Sequence, residues 1–141
     1  MSSQHPPHLL LIEDHADLAK ATAEFLRLLG LDVQIAGSGN QALKMAPAFR
    51  PLIVVLDLSL PDMSGLEVVR RLRADPKTKH ALLAVSTGMA QADIEAIEED
   101  SANGVDLFLS KPITKGDIEE LLNRLATRRS TMVFGSEENV P

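Results

Sequence analysis

Ile53-Val54-Val55-Leu56-Asp57-Leu58-Ser59-Leu60-Pro61-Asp62-Met63-Ser64-Gly65 is the stretch whose reading decides the fold. An apolar run too short for a typical helix ends in one carboxylate, Asp57, and a Leu-Pro-Asp-Met-Ser-Gly turn follows at once. A short apolar run bounded by turn signals reads as a buried parallel strand. Open α/β sheets keep their chemistry at the carboxyl ends of such strands, so Asp57 stands where a reactive group belongs. An Asp that merely opens a turn would look the same locally. Partners elsewhere in the chain decide between the two.

Toward the N-terminus, His8 to Ile12 is a second short apolar run, tipped by Glu13-Asp14. Leu18, Thr22, Phe25, Leu26 and Leu29 then recur at helical spacing, with Gly30 where a C-terminal cap belongs. Leu31 to Ala36 reads as a strand, and Ser38 with Gln41 as a capping box for a helix through about Ala48. Toward the C-terminus, Ser64 with Glu67 opens a helix whose stripe is Leu66, Val69 and Leu72, closed by Asp75-Pro76. Ala81 to Ser86 is the fourth strand and delivers Thr87-Gly88. Ile94 and Ile97, against Asp93, Glu95, Glu98, Glu99 and Asp100, predict a fourth helix over about residues 90–101, closed by Gly104. Val105 to Ser110 is the fifth strand and ends in Lys111-Pro112. Thr114 with Asp117 caps a last helix carrying Ile118, Leu121, Leu122 and Leu125.

Strand and helix therefore alternate five times, with crossovers long enough for βαβ units. The expected fold is α/β, a doubly wound five-stranded parallel sheet of flavodoxin-like order 2-1-3-4-5 with helices on both faces. Residues 1–7 read as a mobile arm, 8–127 as the domain and 128–141 as a tail without sustained period.

Composition narrows the function. The 141 residues carry no cysteine, which excludes disulfides and thiolate metal sites. A net charge of −6 argues against nonspecific DNA binding, and the absence of Tyr and Trp removes stacking platforms for single strands. No run is long enough to span a bilayer and the start lacks a secretory pattern, so a cytoplasmic protein is expected.

In that sheet order, the first and third strands flank the topological switch point, and their acids meet in one crevice. Clustered carboxylates without Cys or a dedicated His set suit a hard cation, Mg²⁺. Lys111 and the Thr87 hydroxyl around Asp57 then suit a transient phosphoryl group on a nucleophilic aspartate.

The pattern Glu13-Asp14, Asp57 with Leu60-Pro61-Asp62-Met63-Ser64-Gly65, Thr87-Gly88 and Lys111-Pro112 resembles a response-regulator receiver domain, the CheY-like fold. Ala48-Phe49-Arg50-Pro51 and Val68-Val69-Arg70-Arg71-Leu72-Arg73 look most like receivers of hybrid sensor histidine kinases. The resemblance implies Asp57 as phosphoacceptor, with Asp14, Glu13 (through a water), Asp57 and the Ser59 carbonyl around Mg²⁺. It implies Lys111 as counter-ion, Thr87 and Phe108 as the switch pair, and a cis Lys111–Pro112 bond. Phe108 stands where Tyr is commoner, Ile113 where Phe is common, and His15 where an acid is frequent; His15 reads as a surface residue opening the first helix.

The reading that follows is a two-component receiver, not a turnover enzyme, that takes a phosphoryl group from a histidine kinase or phosphotransfer protein. It hydrolyses that group slowly and switches the face of the fourth helix, fifth strand and last helix. A receiver-like scaffold independent of phosphate is the alternative, although none of its signature losses is present. A haloacid-dehalogenase phosphatase would need a second acid at position 59, which is Ser. No nucleic acid or membrane partner is expected, and the downstream protein target is open. The helix over 90–101 has five acids and no Lys or Arg, and Leu107 replaces one of two usual acids, so a monomer or weak dimer is expected.

Overall fold

The computed structural model describes residues 5–88 and 104–138, the last helix from residue 129 onward by its backbone alone. The acidic helix expected over 90–101 lies outside the described residues. In chain order the elements are β1 (His8–Ile12), α1 (Ala16–Leu28), β2 (Asp32–Ala36), α2 (Gly39–Phe49), β3 (Ile53–Asp57), α3 (Gly65–Ala74), β4 (Leu82–Thr87), β5 (Leu107–Ser110) and α4 (Lys115–Glu138). All four strand pairings are parallel, and the order is β2-β1-β3-β4-β5, as expected.

The strands are apolar on both faces because both faces are covered. Leu9, Leu11, Ile53, Val55, Leu82 and Ala84 pack with Ala23 and Leu26 of α1 and with Ile118, Leu121 and Leu125 of α4. The alternate residues Leu10, Ile12, Val54, Leu56, Leu83 and Val85 pack with Ala42 and Ala46 of α2 and with Val68, Val69 and Leu72 of α3. A one-residue slip of any central strand would exchange these two layers, so packing fixes the register.

Local chemistry sets the element ends. Gly30 closes α1 at φ +93°, a conformation that favours glycine. Thr114 and Asp117 form the complete reciprocal box at the head of α4, each side-chain oxygen accepting the other's backbone N–H. The boxes of α2 and α3 are half made: Ser38 and Ser64 accept from Gln41 and Glu67, but Gln41 turns to the Gly37 N–H and Glu67 to Arg70 and Arg71. Pro47 lies inside α2, one turn beyond the Leu43 region, and the helix ends at Arg50 in the left-handed conformation. The backbone of α4 stays helical through Glu138, past the boundary expected at about residue 127.

One side chain on α3 ties the far end of the sheet together. Arg73 donates to the carbonyls of Lys79, Ala81 and Gly104 and to the Asp106 carboxylate, at 2.7–3.0 Å. Asp106 in turn accepts the Leu83 N–H at 2.8 Å. The chain entering β4 and the chain entering β5 are thus anchored to one guanidinium, whose planar fork suits several acceptors at once.

Candidate functional site

The register brings the expected residues into one row. Ile12 pairs with Leu56, so Glu13 and Asp57 follow side by side at the carboxyl edge. Asp57 pairs with Ser86, and Thr87 with Ser110, which places Lys111 just beyond the Thr87 row. The Lys111 N–H donates to the Thr87 carbonyl at 3.1 Å, and the Lys111–Pro112 bond is cis, as the resemblance implied.

Lys111 Nζ lies 2.9 Å from Glu13 Oε1 and 3.0 Å from Asp57 Oδ2. Both acids are buried, Glu13 at 5% and Asp57 at 8% exposure. Burial pulls the Lys111 ammonium down, but the hydrogen bonds and charges of Glu13 and Asp57 outweigh it, and its pKa lies above the ordinary lysine value. The second oxygen of each acid is also engaged: Asp57 Oδ1 accepts the Ser59 N–H at 3.0 Å, and Glu13 Oε2 accepts the His15 N–H at 3.2 Å.

Asp14 is exposed and meets the cluster through His15, whose Nδ1 is 3.2 Å from Glu13 Oε2 and 3.6 Å from Asp14 Oδ1. His15 opens α1 without a side-chain capping bond. Thr87 is buried at the end of β4. Phe108 is half-buried on β5, paired with Val85 two rows below Thr87, and packs against the α2–α3 core layer. Glu13, Asp57 and Lys111 therefore touch directly, Ser59 joins through its backbone, and Thr87 and Phe108 stand along the adjoining strand pair.

Glu13 and Asp57 share the one ammonium and Asp14 adds a third carboxylate beside His15, so the crevice is net negative. Glu13, Asp14 and His15 offer ligand atoms within 4.8 Å of one another, while Asp57 is held on Lys111 outside that group; the carboxylate oxygens fit a hard divalent cation of the Mg²⁺ kind.

Asp62 received no role from the sequence. Its Oδ1 accepts the Gly39 N–H at 2.9 Å and its Oδ2 the Asn40 N–H at 2.7 Å, joining the loop after β3 to the head of α2. These bonds hold its carboxyl below the usual carboxylate value. The partners lie 22 and 23 residues apart, so only the topology reveals them.

A parallel sheet in this order, with acids at the tips of β1 and β3 and a lysine at the tip of β5, defines a CheY-like module. The chain matches the model of the response regulator receiver domain over residues 9–123 and belongs to that family, a module of two-component signalling. It is 34% identical over 120 residues to the DNA-binding response regulator MtrA of Mycolicibacterium paratuberculosis, covering 85% of this chain and 50% of that protein. The receiver domain from Methylobacillus flagellatus superposes with a TM-score of 0.75 at 29% identity, over 85% of this chain and 98% of that one. The receiver of the sensor histidine kinase PA1611 from Pseudomonas aeruginosa gives 0.74 at 26% identity, over 85% and 97%, and holds a magnesium ion in its active-site cleft.

The chain spans about half the length of the curated relatives it matches. Several of these are named DNA-binding regulators, which corrects the expectation that nucleic acid plays no part. That expectation rested on a net charge of −6. The charge describes this receiver portion and says nothing of surfaces in the other half of those proteins. Among the described residues no helix is long and apolar enough to cross a membrane.

Proposed function

We propose that the chain is a phosphorylatable switch in which Asp57 accepts a phosphoryl group from a partner's phosphohistidine. The observation that carries this reading is Lys111 Nζ held between Glu13 Oε1 and Asp57 Oδ2, with the other Asp57 oxygen on the Ser59 N–H. An aspartate so oriented is a preformed nucleophile beside a fixed positive charge. A carboxylate oxygen of Asp57 forms the new O–P bond while the donor's P–N bond breaks, and the imidazole leaves with that electron pair and takes up a proton. Lys111, already within 3.0 Å of the carboxylate, faces the charge gathering on the phosphoryl oxygens. Glu13, Asp14, Asp57 and the Ser59 carbonyl would hold Mg²⁺, which when bound neutralises charge on those same oxygens.

The chain's own groups then read the modification. The Thr87 hydroxyl turns onto a phosphoryl oxygen, and Phe108 on the neighbouring strand repacks behind it. A charge-assisted hydrogen bond of about 1.5–3 kcal/mol shifts a two-state equilibrium about tenfold to a hundredfold. The acyl phosphate is hydrolysed slowly at the same site, so the domain resets without being a turnover enzyme. By likeness to the DNA-binding relatives, the state of this receiver governs a DNA-binding output. A histidine-phosphorylated phosphotransfer protein carrying labelled phosphate tests the reading: label should pass to the wild type and not to Asp57→Asn. Equal transfer to both would refute it.

A further inference from the structure

We propose that Asp62 is the positioning residue of the loop after β3: its carboxylate, clamped on the head of α2, holds Ser59 against Asp57. This rests on Asp57 being the acceptor. The neck of the loop is closed by the Gly65 N–H on the Leu58 carbonyl at 2.8 Å and by a backbone bridge between Ser59 and Ser64. The neck is tight, since a Cβ at Gly65 would lie 2.6 Å from the Asp57 carbonyl oxygen and 2.8 Å from Leu58 Cα. Beyond the neck, Asp62 anchors the loop to the neighbouring helix α2 through the Gly39 and Asn40 N–H groups.

The first turn of α2 contains no acidic residue of its own, so Asp62 brings the negative charge that the positive end of the helix favours. Contact there is close because residue 39 lacks a side chain: a Cβ would lie 2.6 Å from Met63 Cγ and 3.1 Å from Val68 Cγ2. Ser38 already supplies the local cap by accepting the Gln41 N–H. Asp62 therefore adds a bond between elements rather than a substitute cap. Because Ser59 and Ser64 pair across the neck, freedom at residue 62 reaches Ser59, whose N–H orients Asp57 Oδ1.

The test compares wild type, Asp62→Asn and Asp62→Ala as ¹⁵N-labelled proteins. The Ser59 amide shift, the Mg²⁺ dissociation constant and the thermal midpoint are read in parallel. Asn offers one acceptor oxygen and keeps one of the two bonds, so the effects should be graded. Mg²⁺ should bind about threefold to tenfold more weakly to Asp62→Ala, at or below the low end of the usual outer-shell effect. Asp62→Asn should fall between, with the Ser59 amide moving in the same order. Should the alanine variant not fold, Asp62→Asn against wild type carries the comparison. A lower thermal midpoint with the Ser59 amide and Mg²⁺ affinity unchanged would make Asp62 a structural cap only and overturn the proposal. If the wild type binds no Mg²⁺ and takes no phosphoryl group, the acceptor reading fails instead, and the Ser59 amide alone then decides the positioning role.

Discussion

Replacing Lys111 by Ala removes the cation that Glu13 and Asp57 share at 2.9 and 3.0 Å. Breaking a fully buried pair costs about 3–5 kcal/mol and an exposed one about 0–1 kcal/mol. Here the acids are buried, while the Lys111 side chain keeps 26% exposure. The loss should therefore fall between those limits, at about 2–3 kcal/mol. For a chain of this size that lowers the thermal midpoint by about 5–12 °C. The same substitution leaves a stronger negative field for a cation. If it tightens Mg²⁺ binding tenfold, saturating Mg²⁺ returns about 1.4 kcal/mol more stability to the variant than to the wild type. Calorimetry is the assay, because a chain without Trp or Tyr gives little intrinsic fluorescence change. A variant as stable as wild type without Mg²⁺, or one that gains no more from Mg²⁺, would refute the opposition of lysine and metal.

Alkaline pH should show the same pair, because a group with a raised folded-state pKa stabilises below its unfolded value and loses that contribution as pH rises through the folded one. Urea unfolding should therefore lose stability above the ordinary lysine pKa of 10.5, with a smaller loss in Lys111→Met. Arg73→Ala should destabilise by about 2–4 kcal/mol in urea melts by removing the donor shared by several carbonyls and the guanidinium partner of Asp106, and Arg73→Lys should recover little of it. Gly65→Ala sets a Cβ 2.6 Å from the Asp57 carbonyl oxygen, so phosphoramidate labelling should slow at equal Mg²⁺, and an unchanged rate would count against a tight neck.

The sheet was legible because four of its strands are short apolar runs with a polar residue at or just after the end, while β2 alternates from Asp32 to Ala36 and Gly37 follows it. The acids of β1 and β3 and the lysine of β5 were legible for the same reason: a parallel sheet puts all strand ends on one edge. Long-range bonds were not. Arg73 received no role from the sequence, and its acceptors Gly104 and Asp106 lie 31 and 33 residues away. Asp62 reads as a turn residue until the topology brings the head of α2 against it. β5 begins at Leu107, two residues later than expected. Just before it, the Asp106 N–H bonds the Leu83 carbonyl while its side chain serves Leu83 and Arg73, so Asp106 works as an anchor. The DNA-binding relatives were missed because charge counting over this chain cannot report on the other half of those proteins.

Intact-mass measurement after incubation with phosphoramidate and Mg²⁺ tests the central claim most directly. The wild type should gain a single alkali-labile phosphate, and Asp57→Asn, which keeps the side-chain volume but loses the nucleophilic carboxylate, should gain none. A phosphate that persists in Asp57→Asn, or a folded wild type that remains unmodified at saturating Mg²⁺, would contradict the assignment of Asp57 as the acceptor.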